Sequence, residues 1–213
     1  MRLKGRLSGI YSRLYRAYGP QHWWPGETPF EVAVGAILTQ NTNWGNVEKA
    51  ISNLKRAGSL HPKDIERMSP ERLAGLIRPA GYYNIKTKRL KNFIHLLWSE
   101  YGGCMEEMKR EEPGEIRTKL LGVNGVGPET ADSIMLYALD KPVFVIDAYT
   151  KRVLSRHNIL GHDDSYDTYQ ELFHRNLRRD LRLYNEYHAL FVRVCKEHCR
   201  TEPHCEGCPL EGV

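Results

Sequence analysis

Three glycines placed close together could bind a phosphate group. Residues 121–127 read LGVNGVG and lie between two stretches with helical apolar periodicity. Glycine allows positive φ angles and the close approach of another backbone. Pro128 favours a helix start directly after the last glycine, and the free N–H groups of a helix N-terminus attract anions. The pattern predicts that Gly122, Gly125 and Gly127 form a hairpin that binds a DNA phosphate without reading base sequence. A helix–helix turn without any ligand is the alternative.

Four of the five cysteines are clustered near the end of the sequence with the spacing of metal ligands. They are Cys195, Cys199, Cys205 and Cys208. Disulfides are rare inside cells, so this cluster predicts a metal site rather than two disulfides. A CxxC pair is typical of zinc sites in general. Cys104 is expected to be an ordinary free thiol.

Composition limits the class of protein. A chain of 213 residues can form one or two compact domains, and 41% hydrophobic residues is typical of a globular protein. No apolar run approaches the roughly 18–20 residues that a membrane span needs, and no apolar stretch follows the first four residues. We therefore expect a soluble, cytoplasmic protein. The net charge of +5 suits a polyanionic partner but does not require one.

The elements that must position these residues are almost all helical. Apolar residues recur at helical spacing over 29–41, 45–57, 86–101, 115–121, 128–139, 147–156, 166–177 and 184–200, and Ser69-Pro70 resembles a helix start. Only residues 143–146, VFVI, resemble a strand, and so short a run can equally be a buried extended connection or a helix start. Asp147 follows that run, where an aspartate commonly caps a helix.

Several of these motifs together resemble a known family. The segments LLGVNGVGPETADSIMLYAL and VFVIDAYTKRVLSR are similar to the hairpin and catalytic region of the endonuclease III-like glycosylases, in the helix-hairpin-helix superfamily. The match continues through ILTQNTNW at 37–44 and GYYNIKTKRL at 81–90. The resemblance implies an all-α fold of two helical lobes with a DNA- and base-binding cleft between them. We expect one lobe at 21–137 and the other at 1–20 plus 138–213.

The resemblance also assigns roles in catalysis. Asp147 occupies the position of the superfamily's essential aspartate, where a carboxylate can stabilise an oxocarbenium-like sugar and help water attack. Bifunctional members carry a lysine nucleophile two residues after the last hairpin glycine. Here that residue is Glu129, which cannot form a Schiff base. The chain is therefore expected to remove bases without cleaving the strand.

Other matching positions concern the flipped base and the duplex. Gln40 and Tyr82 match residues that fill the space left by an extruded base. The Trp-Trp-Pro run, together with TQNTNW and a hairpin glutamate, resembles the branch that excises 3-methyladenine. The implied base pocket consists of Trp23, Trp24, Pro25, Trp44 and Glu129. Electron-rich rings favour a cationic N-alkylated purine, although they could also stack on an oxidised pyrimidine.

The terminal cysteines are similar to the loop that binds a [4Fe–4S] cluster in many of these enzymes. Cys199, Cys205 and Cys208 match the first three ligands approximately, and the sequence ends at Val213, where the last ligand would fall. Cys195, one helical turn before Cys199, could supply the fourth thiolate. Zinc bound by four thiolates is the rival interpretation.

The leading hypothesis is a monomeric, monofunctional glycosylase that removes alkylated purines such as 3-methyladenine from double-stranded DNA. One alternative is a bifunctional oxidised-pyrimidine glycosylase with lyase activity. A second alternative is a non-catalytic DNA-binding module that uses the hairpin for affinity only.

Overall fold

A computed structural model describes residues 3–213, and within that range the chain is helical with no β-strand. This confirms the all-α prediction. The α-helices, in chain order, are α1 Leu3–Tyr18, α2 Pro29–Leu38, α3 Trp44–Arg56, α4 Pro62–Arg67, α5 Pro70–Ile77, α6 Tyr83–Tyr101, α7 Met105–Arg110, α8 Pro113–Gly122, α9 Pro128–Ser133, α10 Ala148–Arg156, α11 Tyr166–Asn176 and α12 Leu181–Glu197. A 3-10 turn covers Arg78–Ala80, and a π-helical segment covers Ile134–Ala138. None of the described helices is long and apolar enough to cross a membrane.

The described chain forms two compact units. One unit contains the residues up to Trp24 together with Pro142–Val213, and the other consists of Pro25–Lys141. Each boundary lies four residues after the one expected from the sequence. The first unit therefore holds α1 and α10–α12, and the second holds α2–α9.

Helix starts follow the capping chemistry of the sequence. Ser69 accepts a hydrogen bond from the Arg72 N–H and is followed by Pro70 at the first helical position, as predicted. Asp180 likewise accepts from the Leu183 N–H at 2.9 Å and begins α12. Such caps satisfy N–H groups that have no partner inside the helix.

Several segments differ from the sequence-based prediction; the helix expected over 29–41 ends at Leu38, and α4 and α7 were not expected. The helix expected over 128–139 changes to π-helical geometry at Ile134, a form that often occurs at functional sites. The helix expected over 184–200 begins earlier, at Leu181, and ends at Glu197. Residues 143–146 are buried and form neither strand nor helix, which leaves the buried connection among the three interpretations that their sequence allowed.

Each unit has its own apolar core. In the first unit, the Phe144 and Phe173 rings stack with centroids 3.6 Å apart, and Tyr187 packs edge-on against both. The Tyr187 hydroxyl also donates to the Leu7 carbonyl at 2.8 Å, which joins α12 to α1. In the second unit, α6 packs against α2, α4, α5 and α7 and carries the buried Leu90, Phe93 and Leu97.

Candidate functional site

The predicted hairpin is present between α8 and α9. Gly125 has φ +92°, a conformation that side chains rarely adopt, and Gly127 is the N-cap of α9. Val123 and Val126 are buried and fix the turn to its own unit, while Gly122 and Gly127 are exposed. Gly122 and Gly127 leave the backbone of this turn uncovered, and no atom lies within 4 Å of the position that a Cβ would take at either residue. The local geometry is therefore suited to close approach of a ligand.

Side chains from the turn after α2 and from α6, in the same unit, hold this hairpin. The Gln40 amide donates to the Gly125 carbonyl at 3.0 Å and to Thr130 Oγ1 at 2.9 Å, and it accepts from the Arg89 guanidinium. Asn92 donates to the Asn124 carbonyl at 3.0 Å. Gln40, predicted from the resemblance to enter DNA, thus has a structural contact with the hairpin. Its entry into DNA stays a prediction.

Lys86 connects the two chain segments that carry Gln40 and Tyr82. Its side chain is 1% exposed, and its Nζ donates to the Leu38 carbonyl at 2.8 Å and to the Ala80 carbonyl at 2.7 Å. These carbonyls lie at the C-terminal ends of α2 and of the 3-10 turn, where a carbonyl has no N–H donor within its own helix. Burial, followed by the nearby positive charge of Arg89, lowers the pKa of Lys86 to about 8.

Tyr82 lies between that 3-10 turn and α6 in a left-handed conformation, with φ 46° and ψ 31°. It is 68% exposed, which is unusual for a large aromatic side chain. A non-glycine residue held in this conformation is strained, and such strain often marks a functional position. The exposed ring fits the predicted role of filling a gap in the duplex, which stays a prediction.

The residues expected to contact the base are divided between the two units. Trp23 and Trp24 belong to the first unit and pack edge-on with ring centroids 5.7 Å apart. Pro25, Trp44 and Glu129 belong to the second, where the Trp44 indole donates to Glu48 at 2.8 Å and Glu129 is exposed. Lys196 Nζ lies 5.9 Å from the Trp23 ring centroid, so this indole already attracts a cation.

Asp147 is the N-cap of α10. Its Oδ1 accepts from the Thr150 N–H at 2.7 Å, and its Oδ2 lies 3.4 Å from His188 Nε2. The Asp147 side chain is 13% exposed and that of His188 7%. Burial is the largest influence on the pKa of Asp147 and raises it. The charge and hydrogen bond of His188, with the hydrogen bonds of Thr150, outweigh burial and hold that pKa below its ordinary value of 3.8.

The sequence interpretation missed His188. A single histidine on the apolar face of a helix carries no spacing signal, because its partner Asp147 lies 41 positions earlier in the chain. The only sequence clue is a polar residue among the buried positions of α12, beside Tyr187 and Leu190. An ionised carboxylate beside an imidazole, both mostly buried, is a typical arrangement for chemistry that handles charge and protons.

The four terminal cysteines are not gathered into one ligand set. Among residues 3–213, no three His, Cys, Asp or Glu side chains are arranged to hold a metal ion. Cys195 is buried and lies 3.6 Å from the Tyr149 carbonyl, whereas Cys205 is exposed. A hydrogen bond from Cys195, and then the Arg156 guanidinium 3.3 Å away, lower the pKa of Cys199. These cysteines therefore form no complete ligand set among the described residues, and the [4Fe–4S] cluster and its zinc alternative stay predictions.

Comparison with known proteins identifies the family. The HhH-GPD superfamily of base excision DNA repair proteins matches residues 34–179. The chain belongs to this superfamily. A Methanocaldococcus jannaschii protein, named as a candidate DNA repair glycosylase, is 51% identical over 203 residues. That alignment covers 95% of this chain and 92% of the relative.

Two solved structures are similar in fold to this chain. The H. pylori 3-methyladenine DNA glycosylase MagIII, bound to 1,N6-ethenoadenine, is 30% identical with a TM-score of 0.79, covering 92% of this chain and 98% of MagIII. An endonuclease III–DNA complex is 22% identical with a TM-score of 0.83, covering 99% and 94%. These likenesses confirm the resemblance predicted from the sequence. The findings support a DNA glycosylase of this superfamily, without selecting its lesion.

Proposed function

We propose that the protein is a monofunctional DNA glycosylase that removes alkylated purines, such as 3-methyladenine, from double-stranded DNA and leaves an abasic site. The observation that carries this proposal is Asp147, an ionised and mostly buried carboxylate fixed by the Thr150 N–H and beside His188. MagIII, the 30% identical structural relative, supports the choice of alkylated purine.

The chemistry follows from the charge of Asp147. As the bond between C1′ and the base nitrogen breaks, positive charge develops on the sugar, and a fixed carboxylate stabilises it. Water then adds to C1′, and its proton passes to the carboxylate or to solvent. The leaving N-alkylated purine is cationic before cleavage and departs neutral, so protonating the leaving group is unnecessary. A carboxylate with a lowered pKa is already ionised at neutral pH and needs no activation.

Glu129 supports the monofunctional part of the proposal. It occupies the position after the hairpin at which the resemblance places the lysine of strand-cleaving relatives, and a carboxylate cannot form an imine with the sugar. Borohydride trapping on damaged duplex DNA tests this point. We expect no covalent adduct with the wild type or with Glu129→Gln. An adduct with the wild type would instead favour the bifunctional oxidised-pyrimidine glycosylase.

Recognition of damaged DNA rests on several exposed groups. We propose that Gly122, Gly125 and Gly127 present backbone N–H groups to a phosphate, and that Gln40 and Tyr82 support the opened duplex. We further propose that Trp23, Trp24, Pro25, Trp44 and Glu129 contact the extruded base. Cation–π attraction would then favour a cationic purine, as the Lys196–Trp23 contact illustrates. We also propose that the protein acts as a monomer in the cytoplasm.

The cofactor proposal rests on cysteine spacing rather than on the observed arrangement. Cys195, Cys199, Cys205 and Cys208 would ligate a [4Fe–4S] cluster, with zinc as the alternative. Metal and sulfide analysis of the purified protein tests it. Four irons with absorbance near 400 nm support the cluster, and one zinc in a colourless preparation supports the alternative. A metal-free protein with full activity would refute both.

A pair of matched aspartate variants tests the glycosylase proposal. Asp147 and Asp180 both cap helices of the same unit, but only Asp147 lies beside a histidine. Asparagine is also a good N-cap, so Asp147→Asn and Asp180→Asn should both remain folded. We expect only Asp147→Asn to abolish release of 3-methyladenine from methylated duplex DNA, with DNA affinity retained.

Two outcomes would count against the proposal. Base release by Asp147→Asn at the wild-type rate would remove Asp147 from the reaction. DNA binding by the wild type without release of any damaged base from a panel of duplexes would favour a non-catalytic DNA-binding module.

A further inference from the structure

The segment leading to Asp147 is buried but has no neighbouring strand. Residues 143–146 form neither helix nor strand, and all four side chains are buried. Buried peptide N–H and C=O groups need hydrogen-bond partners, which a sheet usually provides. Since no described residue forms a strand, the partners of this segment must come from elsewhere.

Side chains of α11 supply three of these partners. His174 Nε2 accepts from the Phe144 N–H at 3.1 Å, and Gln170 Nε2 donates to the Phe144 carbonyl at 2.8 Å. The Tyr166 hydroxyl accepts from the Ile146 N–H at 3.3 Å. The three donors and acceptors therefore take the place of a neighbouring strand.

The spacing of these three residues fits one helix face. Tyr166, Gln170 and His174 follow each other at intervals of four, so their side chains form a single stripe along α11. The contacts follow the stripe in the opposite chain direction, because Tyr166 bonds to Ile146 whereas Gln170 and His174 bond to the earlier Phe144. His174 is held in turn by stacking on the Tyr184 ring, with centroids 5.8 Å apart and planes 18° from parallel.

We propose that Tyr166, Gln170 and His174 are positioning residues that fix the backbone in front of Asp147 and thereby set its carboxylate for catalysis. This inference rests on the proposed glycosylase function. Asp147 begins α10 directly after Ile146, so a shift of residues 143–146 moves its Cα. Misplacing a catalytic group by about 1 Å can cost on the order of 100-fold in rate.

The proposal specifies the chemistry that each position needs. His174 must offer a lone pair at Nε2, and Gln170 must offer an N–H. His174→Gln retains an acceptor at a similar distance, whereas His174→Phe retains only the stacking on Tyr184. Gln170→Met keeps length and flexibility but cannot donate. Asn176→Ala is the matched control, because Asn176 lies on α11 and bonds only within its own helix, to the Leu172 carbonyl.

The test measures single-turnover release of 3-methyladenine from methylated duplex DNA, together with DNA affinity. Assays are run well below the thermal unfolding midpoint of the least stable variant. We expect His174→Phe and Gln170→Met to lower the rate at saturating enzyme roughly 10- to 100-fold, with the dissociation constant for DNA unchanged. His174→Gln should recover most of the rate, and Asn176→Ala should match the wild type.

The outcomes separate this inference from the proposed function. If Asp147→Asn is inactive while folded His174→Phe and Gln170→Met release base at the wild-type rate, the stripe has no positioning role and the glycosylase proposal stands. Equal losses in His174→Gln and His174→Phe would also overturn the inference. If Asp147→Asn is fully active, both ideas fail.

Discussion

Gly125 and Gly127 lie two residues apart in the hairpin, yet an added methyl group should affect them differently. At Gly125, φ is +92°, and a Cβ would lie 2.8 Å from Arg89 Cδ and closer still to its Cγ. At Gly127, φ is −93° and ψ 178°, which any residue can adopt, and no atom lies within 4 Å of the Cβ position. Gly125→Ala should therefore damage the fold, and Gly127→Ala should not.

The magnitude for Gly125→Ala has two parts. Placing alanine in a sparsely populated backbone region costs about 1–3 kcal/mol. Moving Arg89 removes its charge-assisted hydrogen bond to Gln40, which contributes about 1.5–3 kcal/mol in typical cases. Because Arg89 can find water instead, the total is about 2–5 kcal/mol. In a chain of this size that corresponds to a fall in Tm of roughly 4–20 °C.

Thermal unfolding and DNA binding together test this pair. Gly127→Ala should leave Tm within about 2 °C of the wild type, since exposed substitutions usually change stability by less than about 0.5 kcal/mol. If the hairpin binds a phosphate, the added methyl group should keep that phosphate away from the Gly127 N–H. The loss of one hydrogen bond to a charged group, about 1.5 kcal/mol, should then weaken DNA affinity about tenfold. A wild-type Tm for Gly125→Ala would refute the steric reasoning. A wild-type DNA affinity for Gly127→Ala would refute the phosphate contact.

Three further predictions concern single charged side chains. Lys86→Met should lower the free energy of unfolding by about 2–5 kcal/mol, because two buried carbonyls lose their donor, whereas the exposed Lys88→Met should have little effect. The pKa of Lys86 is about 8 when folded and 10.5 ordinarily, so the unfolded chain binds more protons between these values. The difference in free energy of unfolding between the wild type and Lys86→Met should therefore increase as the pH rises from 8 to 10.5. A difference that does not change with pH would contradict the burial of this charge. His188→Gln should raise the pKa of Asp147, since burial then acts without the opposing histidine. The acid limb of the base-release rate should move to higher pH, and an unmoved limb would show that His188 does not stabilise the carboxylate. Glu129→Lys places an amine at the nucleophile position and should yield a covalent adduct with DNA under borohydride, whereas Glu129→Gln should not. Absence of an adduct with Glu129→Lys would mean that the amine does not reach the sugar.

Local chemistry explains which features were predictable from the sequence. Helix starts such as Ser69-Pro70 and the cap at Asp147 depend on residues three positions apart, so the sequence contains the whole signal. The hairpin was also visible, because the conformation at Gly125 requires glycine. The change to π-helical geometry at Ile134 depends on packing against α2 and left no mark in the apolar periodicity.

Features that depend on distant partners were not predictable in the same way. The sequence allowed residues 143–146 to be a strand, a buried extended connection or a helix start, because their apolar character is the same in all three. The decision came from Gln170 and His174, more than 20 positions later in the chain. Gln40 was interpreted as a residue that enters DNA, and its bonds to Gly125 and Thr130 were invisible without the fold.

The environment of Asp147 shows why the sequence indicated the role of this residue but not the contacts that hold its carboxylate in place. A motif locates the carboxylate, but three separate parts of the chain determine its state. Thr150 fixes one oxygen, His188 lies beside the other and favours the ionised form, and the α11 stripe holds the backbone that precedes it. Thr150 is the only one of these partners close enough in sequence to form a pattern. A variant that keeps the whole VIDAYTKR motif but loses His188 or the stripe therefore retains the family signature. On the reasoning above, it should nevertheless release bases more slowly.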